Sequence, residues 1–321
     1  MKTPKNERTP IVIRPLHEAD LTAADHVMRV AFGTLWGVPE PSTTFGDASW
    51  VRNRWRADPS AAFAAELEGE VVGSAFATRW GSFGFVGPIT VRPDVWDRGI
   101  GRRLTESLVG LLSQWEVRLA GLFTGPQSPK HLGLYQKFGF WPRYLTAILS
   151  KPVQSVHPAL PWELYSHLSE NEQQARLRDC NRIADSLFDG LDLTAEIHAI
   201  AAQNLGDIVL LREDADLVAF AACHQGARTE AGSGTCYVKF AAARPGDSTA
   251  RHFEALLGAC ESFAAQKDAR RLVAGVNTAR QEAYARMLQG GFRTDVLGVA
   301  MHRPNEPGFS RKGVYVLDDW R

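Results

Sequence analysis

One turn in the first half of the chain carries residues suited to holding an anion. The segment from Val91 to Leu104 has the pattern of a strand, a short irregular loop and two glycines that open a helix. The first N–H groups of a helix have no internal partners, the helix dipole adds partial positive charge, and glycines let a ligand approach the backbone. The turn therefore suits a diphosphate, and three arginines can reach a further phosphate: Arg98, Arg102 and Arg103.

A Gly-x-Gly turn alone is open to two interpretations, because glycine can also simply permit a tight strand-to-helix connection. Two common nucleotide motifs are not matched. The pattern Gly-x-x-x-x-Gly-Lys-Ser/Thr is absent from the sequence, and Gly99-Ile100-Gly101 lacks the third glycine of the dinucleotide fingerprint. The sequence thus argues against a phosphate-loop kinase.

Alternating strand and helix signals must position this turn. Apolar, β-branched runs predict strands at residues 11–14, 61–66, 71–79, 83–91, 119–124 and 143–149. Apolar residues at helical spacing predict helices at 21–32 and 46–57, a third that follows Pro93 and ends near Val117, and a fourth from Ser128 to about Phe138. The three successive strands between 61 and 91 predict an antiparallel meander.

The second half repeats this plan. It has predicted strands at 208–211, 217–223, 236–242, 272–276 and 296–301, and predicted helices at 169–188, 249–265 and 280–288. Two anchors support a true repeat: Pro93 and Pro245, and the Gly-Phe pairs at 139 and 291, are both 152 positions apart. Three prolines place a linker at 152–163. We therefore predict one domain at 1–151 and a second at 164–321.

Residues 11–151 resemble the GNAT N-acetyltransferase superfamily in two segments. Gly87 to Pro93 followed by Trp96 to Gly101 is similar to the family's pyrophosphate-binding pattern Gln/Arg-x-x-Gly-x-Gly/Ala, except that Trp96 stands at its first position. His131 to Phe140 is similar to the family's late helix, whose tyrosine commonly acts as a general acid, and Tyr135 falls on that tyrosine. The two segments come in the expected order with the expected strand between them.

The resemblance implies a fold, a cosubstrate and a site. The fold class is α+β or α/β, with two tandem GNAT-like domains that each have a mixed, mostly antiparallel central sheet flanked by helices. The cosubstrate is acetyl-CoA, and an amine attacks its thioester directly. Tyr135 is the candidate that protonates the leaving thiolate. Backbone groups of Ile89, Thr90 and Val91 would pair with the pantetheine arm, and the pyrophosphate would be held by Asp97, Arg98, Gly99, Ile100, Gly101 and Arg102.

The sequence does not identify a general base. Some family members carry a glutamate where Phe85 stands here, so the base lies elsewhere, is a relayed water, or is not needed. Glu40 and His131 are weak candidates. Aromatic residues crowd the segment that usually shapes the acceptor pocket, which hints at a bulky or apolar acceptor although some of them must be core: Phe32, Trp36, Phe45, Trp50 and Trp55.

The second copy lacks the functional features of the first. At an offset of 152, the two glycines of the turn correspond to Arg251 and Phe253, and the tyrosine of the late helix corresponds to Met287. The two larger side chains would obstruct a diphosphate, and methionine cannot donate a proton. We predict that the second domain neither binds the cofactor nor catalyses. It either covers or completes the acceptor site, or stabilises the first domain.

Composition argues against several other classes. The 36 Lys and Arg residues balance 36 Asp and Glu without a basic run, so no nucleic-acid partner is predicted. No stretch approaches about 18 consecutive apolar residues, and residues 1–8 read as a tail rather than a signal peptide, so we expect a cytoplasmic protein without membrane contact. No metal is predicted, since four cysteines without metal-like spacing read as reduced, buried thiols: Cys180, Cys223, Cys236 and Cys260.

Together these features predict an enzyme that acetylates an amine of a small-molecule acceptor. The alternative is a non-catalytic acyl-CoA-binding sensor or interaction protein, which Trp96, Phe85 and the altered second copy would favour. Tyr135 and the two retained glycines argue against that alternative. A protein-lysine acetyltransferase is a third possibility. The sequence does not indicate the oligomeric state.

Overall fold

The computed structural model describes residues 10–321, so the tail predicted at residues 1–8 lies outside the described part of the chain. Its strands are β1 Val12–Pro15, β2 Ala62–Leu67, β3 Glu70–Trp80, β4 Phe83–Val91, β5 Leu119–Thr124, β6 Trp141–Pro152, β7 Trp162–Leu164, β8 Gly206–Glu213, β9 Asp216–Gly226, β10 Gly232–Ala243, β11 Arg271–Asn277, β12 Arg293–Arg303 and β13 Val316–Leu317. Its α-helices are α1 Leu21–Trp36, α2 Val51–Ala57, α3 Ile100–Gln114, α4 Pro129–Gln136, α5 Glu170–Leu187, α6 Thr194–Gln203, α7 Thr249–Gln266 and α8 Gln281–Gln289.

One continuous sheet contains all of these strands, and the order of the strands of one half mirrors that of the other half. The order is β1-β2-β3-β4-β5-β12-β6-β11-β10-β9-β8-β7, and β13 pairs with β10. The last strand of each half crosses over: β12 lies beside β5 of the first half, and β6 lies beside β11 of the second. Neighbouring strands are antiparallel except for the pairs β4–β5 and β10–β11. The predicted fold class is confirmed.

The registers of the two halves differ by the offset found in the sequence. In the first half Phe83 of β4 lies opposite Leu119 of β5, and in the second half Thr235 of β10 lies opposite Arg271 of β11. Both positions differ by 152. The register of β4 against β3 also shifts between Val86 and Ile89, and that of β10 against β9 shifts between Val238 and Phe240, which correspond to positions 86 and 88. Each half therefore has a bulge at the same place.

Alternating side chains divide the helices between the two faces of the sheet. In β3, Phe76 packs with α1 and α2, whereas Ala75 and Ala77 pack with α3. In β9, Phe220 packs with α5 and α6, whereas Ala221 packs with α7. We call the side of α1, α2, α5 and α6 the first face and the side of α3, α4, α7 and α8 the second face. On the first face, α2 and α6 contact each other across the two halves.

Several element boundaries differ from the predictions, for local reasons. The helix predicted at 46–57 begins only at Val51, because Phe45 and Gly46 both have positive φ, 72° and 54°, which a helix does not allow. Helix α1 continues past the predicted end to Trp36 and stops at Gly37, whose φ is 68°. Helix α6 and the short strands β7 and β13 were not predicted. A capping box of Ser169 and Glu172 begins α5.

None of the helices in residues 10–321 is long and apolar enough to cross a membrane. The cytoplasmic location stays a prediction, as do the domain boundaries. The irregular stretch near the predicted linker spans residues 153–161, since β6 reaches Pro152 and β7 begins at Trp162.

Candidate active site

A cleft opens between β4 and β5 where their pairing ends. The two strands pair in parallel from Phe83 and Leu119 as far as Val86 and Leu122. The bulge then turns β4 away, and residues 89–91 stay paired only with β3 on their other edge. Within residues 10–321, the cleft edge of β4 over Ile89, Thr90 and Val91 therefore has no strand partner. The family resemblance had assigned these three residues to the pantetheine arm.

The glycine turn lies at the start of α3 and leaves three backbone donors free of helix partners. The first N–H to bond within the helix is that of Arg103, which donates to the carbonyl oxygen of Gly99 at 3.2 Å. The preceding N–H groups of Ile100, Gly101 and Arg102 have no intrahelical acceptor. Arg102 and Arg98 are exposed beside them. The turn thus offers N–H donors and positive charge to an anion.

The two glycines of the turn are needed for different reasons. Gly99 has a φ of 79°, where a side chain would be strained. Gly101 lies in the helix with ordinary backbone angles, and a Cβ added to it would lie 3.9 Å from both Val91 and Leu134, an ordinary contact. Packing within the protein therefore does not require glycine at Gly101. A ligand that binds close to the backbone of Gly101 would require glycine there.

Trp96 has a structural contact that the sequence did not reveal. Its indole Nε1 donates a hydrogen bond of 2.7 Å to the carbonyl oxygen of Val91, and its ring is exposed. The side chain therefore ties the loop before α3 to the end of β4. Asp97, next to it, has a φ of 63° and forms an ion pair with Lys130 at the start of α4. This pair offsets a negative charge that would otherwise face an anion.

Tyr135 lies on α4 and packs into the core beneath the cleft. Tyr135 is 9% exposed and belongs to the hydrophobic cluster that contains Ile100, and Ile89 and Val91 pack against this cluster. Burial raises the pKa of Tyr135 to about 12, so the phenol stays protonated at neutral pH. Its hydroxyl makes no hydrogen bond to residues 10–321. The hydroxyl oxygen is not among the fully buried unpaired atoms of these residues, so it is available to a ligand that accepts its hydrogen bond.

The other residues considered for chemistry lie elsewhere. Phe85 is buried against Trp80, with ring centroids 4.9 Å apart. Glu40 is exposed before a short turn. His131 lies in the first turn of α4, and burial together with neighbouring Lys130 lowers its pKa. The aromatic residues of the α1–α2 segment pack mainly against the core of the first face: Phe32, Phe45, Trp50 and Trp55.

The corresponding cleft of the second half is filled by the chain itself. At the offset of 152, residues 89–91 correspond to residues 241–243 of β10. There β13 pairs antiparallel with β10, with Ala241 opposite Leu317 and Ala242 opposite Val316. The N–H of Ala243 also donates to the carbonyl of Tyr315 at 3.1 Å. A strand of the chain thus occupies the edge that β4 leaves open.

The three replaced positions of the second half serve packing and surface roles. Phe253 and Met287 are fully buried in the core beneath α7 and α8. Arg251 is exposed and forms an ion pair with Glu213. Within residues 10–321 no group of three or more His, Cys, Asp and Glu side chains could hold a metal ion, and the four cysteines are free and buried.

Residues 26–140 match the model of the acetyltransferase (GNAT) family. No curated protein matches the chain significantly. This match identifies a segment of the first half that is similar to the GNAT acetyltransferases, and the family as a whole supports acyl transfer from acetyl-CoA.

Solved structures share the fold of nearly the whole chain. A candidate acetyltransferase from Pyrococcus horikoshii has a TM-score of 0.66 at 16% identity, over 98% of this chain and 96% of that one. A GCN5-related N-acetyltransferase from Sphaerobacter thermophilus has a TM-score of 0.59 at 15% identity, over 91% and 95%. The GCN5-related glucosamine N-acetyltransferase region of a fungal multi-domain GH3 β-N-acetylglucosaminidase has a TM-score of 0.65 at 10% identity, over 92% of this chain and 38% of that one.

Proposed function

We propose that the first half transfers the acetyl group of acetyl-CoA to an amine of a small molecule. The observation that carries this proposal is the contrast between the two clefts. The cleft edge at residues 89–91 is free, while its counterpart at residues 241–243 is paired with β13. The free edge lies next to the glycine turn, because Gly101 faces both β4 and α4. One chain therefore has one site for acetyl-CoA.

Each candidate residue has a defined task in this proposal. Ile89, Thr90 and Val91 offer backbone groups to the pantetheine arm. The N–H groups of Ile100, Gly101 and Arg102 bind the pyrophosphate, as do the backbone of Asp97 and Gly99 and the side chains of Arg98 and Arg102. The cosubstrate supplies an acetyl group activated as a thioester.

Tyr135 acts as the general acid when the acetyl group moves. The amine nitrogen forms a bond to the carbonyl carbon, the carbon–sulfur bond breaks, and the phenol gives its proton to the departing sulfur. The amine loses its own proton to water or to a base among the acceptor-side residues. Because Tyr135 is protonated and has no competing acceptor in the part of the chain that the structure describes, it is ready to donate.

A cavity between the halves supports a small acceptor. Its volume is about 450 Å³, within the range typical of small-molecule sites. It lies on the first face between α2 and α6, and both halves line it with polar and charged side chains, including Arg54, Glu196, His224, Glu230 and Lys239. This lining favours a polar acceptor over the apolar one that the aromatic segment had suggested.

The test is thiol release from acetyl-CoA with a panel of amines: amino acids, polyamines, amino sugars and peptides. Release with one or more small amines, confirmed by the mass of the acetylated product, is the expected result. Binding of acetyl-CoA without release on any acceptor would favour the sensor alternative, and activity on peptides alone would favour a protein acetyltransferase. Calorimetric titration should give one acetyl-CoA per chain, and a stoichiometry of two would refute the inactive second cleft.

A further inference from the structure

An arginine on the first face holds the bulge of β4 from behind. Arg54 is buried on α2, and its Nη1 donates to the carbonyl oxygen of Gly87 at 2.5 Å. Its guanidinium also lies 5.8 Å from the centre of the Phe85 ring. Gly87 lies in the bulge of β4, two residues before the cleft edge at 89–91. Arg54 therefore contacts the backbone that sets the direction of this edge.

The counter-charge of Arg54 comes from the other half of the chain. Glu230, in the turn between β9 and β10, accepts from Arg54 Nε at 2.9 Å and from Nη2 at 3.2 Å. Its side chain is 1% exposed. Burial alone would raise the pKa of Glu230, but the attraction of Arg54 and Lys239 outweighs it and holds the pKa well below the usual range. The carboxylate is thus ionised and fixed in a bidentate pair.

The same carboxylate also binds the bulge region of the second half. Lys239 lies in the bulge of β10, at the position that corresponds to Gly87. Its Nζ donates to Glu230 Oε1 at 3.1 Å. Glu230 therefore connects the two equivalent bulges, one through its bond to Lys239 and the other through Arg54. Contacts of the neighbouring turn residues with the α1–α2 segment, such as Ser49 N–H to the Thr229 carbonyl at 2.9 Å, fix its place.

Resting on the proposed function, we infer that Glu230 is a positioning residue for the cofactor strand of the first half. Without its charge, Arg54 would be a buried cation with one lost partner and would shift towards other acceptors or water. The bond from Arg54 to the Gly87 carbonyl would then weaken, and the cleft edge would lose its fixed direction. The second half thus takes part in acetyl-CoA binding through Glu230, although its own cleft is closed.

The experiment compares three variants of the full chain by calorimetric titration with acetyl-CoA. Glu230→Gln should weaken the affinity about tenfold or more. Glu230→Asp keeps the charge and should weaken it less. Asp47→Asn is the matched control: the Asp47 carboxylate accepts from the N–H and hydroxyl of Ser233 across the same interface and, within residues 10–321, bonds neither Arg54 nor β4, so the affinity should stay within twofold.

Hydrogen exchange in the ligand-free protein gives a readout that does not depend on the proposed activity. Peptides that cover residues 87–92 should exchange faster in Glu230→Gln than in the wild type or Asp47→Asn. The inference is overturned if Glu230→Gln and Asp47→Asn show the same affinity and the same exchange at residues 87–92. If Glu230→Gln does not fold, Glu230→Asp must show the loss. A wild type that does not bind acetyl-CoA would instead reject the proposed function, while the exchange comparison still decides the contact.

Discussion

Replacing Tyr135 by phenylalanine separates a proton-donating role from a packing role. The ring is buried, and its hydroxyl has no hydrogen-bond partner among residues 10–321. Phenylalanine keeps the ring contacts and removes only an unpaired hydroxyl, so the free energy of unfolding should change by less than about 1 kcal/mol. A positioned proton donor contributes about 10² to 10⁴ in rate, which is about 3 to 5 kcal/mol of transition-state stabilisation. Turnover should therefore fall by tens-fold or more in a protein of nearly unchanged stability.

The pH dependence gives a second check on the same residue. Burial raises the pKa of Tyr135 to about 12, and a general acid must be protonated to act. At assay pH values from roughly 6.5 to 9.5, all below this raised pKa, ionisation of Tyr135 should not lower kcat as the pH rises. A falling limb in this range that disappears in Tyr135→Phe would show that the phenol ionises there, contrary to its burial.

The measurement is steady-state thiol release, with chemical denaturation of the same samples. Tyr165→Phe is the matched control, because Tyr165 is 7% exposed but packs in the core of the first face with α5 and α6. It should leave kcat unchanged. If Tyr135→Phe keeps both kcat and the affinity for acetyl-CoA, Tyr135 is a core residue and the assignment as general acid is refuted.

Three further predictions concern the cofactor turn and the buried ion pairs. Gly101→Ala should stabilise α3 by up to about 1 kcal/mol yet raise the KM for acetyl-CoA several-fold, whereas the control Gly110→Ala should change only the melting temperature. Trp96→Phe removes the bond to the Val91 carbonyl, so the KM for acetyl-CoA should rise with kcat unchanged; an unchanged KM would mean that the bond is dispensable. Burial alone would raise the pKa of Glu196, but a neighbouring buried lysine outweighs it and lowers the pKa to about 2, so the urea midpoint should fall as the pH drops from about 5 towards 2. Glu196→Gln should flatten this slope, and a pH-independent wild-type midpoint would contradict the assignment.

Local sequence signals predicted much of the fold. Strands β2 to β5 and helices α3, α4, α5 and α7 begin or end within a few residues of their predicted bounds, because their apolar periodicity and caps are contained within each segment. Helix α6 was missed. It has only ten residues, and its buried positions Ile197 and Ile200 are too few to establish a periodicity. Strand β13 has only two residues, so it has no pattern of its own.

The exchange of the last strands could not be predicted from the sequence. β6 and β12 both have the apolar content of an inner strand. The sequence pattern of each strand is therefore compatible with pairing in either half. What decides their partners is the shape of the whole sheet, in which β6 pairs with β11 from Thr146 to Pro152 and β12 pairs with β5 from Val299 to Arg303. Such pairings join segments more than a hundred residues apart, and single-sequence periodicity carries no information about them.

The candidate site, like the fold, was only partly predictable from the sequence. The glycine turn and Tyr135 have local motifs, and the sequence alone was enough to propose them. The bonds from Trp96 to Val91, from Arg54 to Gly87 and from Arg54 to Glu230 have no motif. The last of these spans 176 positions of sequence. A lone arginine on a short helix gives no signal that its partner lies in the other half.

The exchanged strands explain how a half with a closed cleft can still be needed by the open one. β12 supplies the neighbour of β5 along the first cleft, since Val299 pairs with Thr124 at its end. The segment after β13 then crosses to the first half, where the Trp320 ring packs against Phe83 at 4.9 Å and so close to Gly121 that a Cβ there would lie 2.7 Å from it. Residues of the second half therefore support β5 and the paired part of β4 and β5 from which the open cleft begins. The fold of the second half is therefore expected to support the first site, although the second cleft is filled by its own chain.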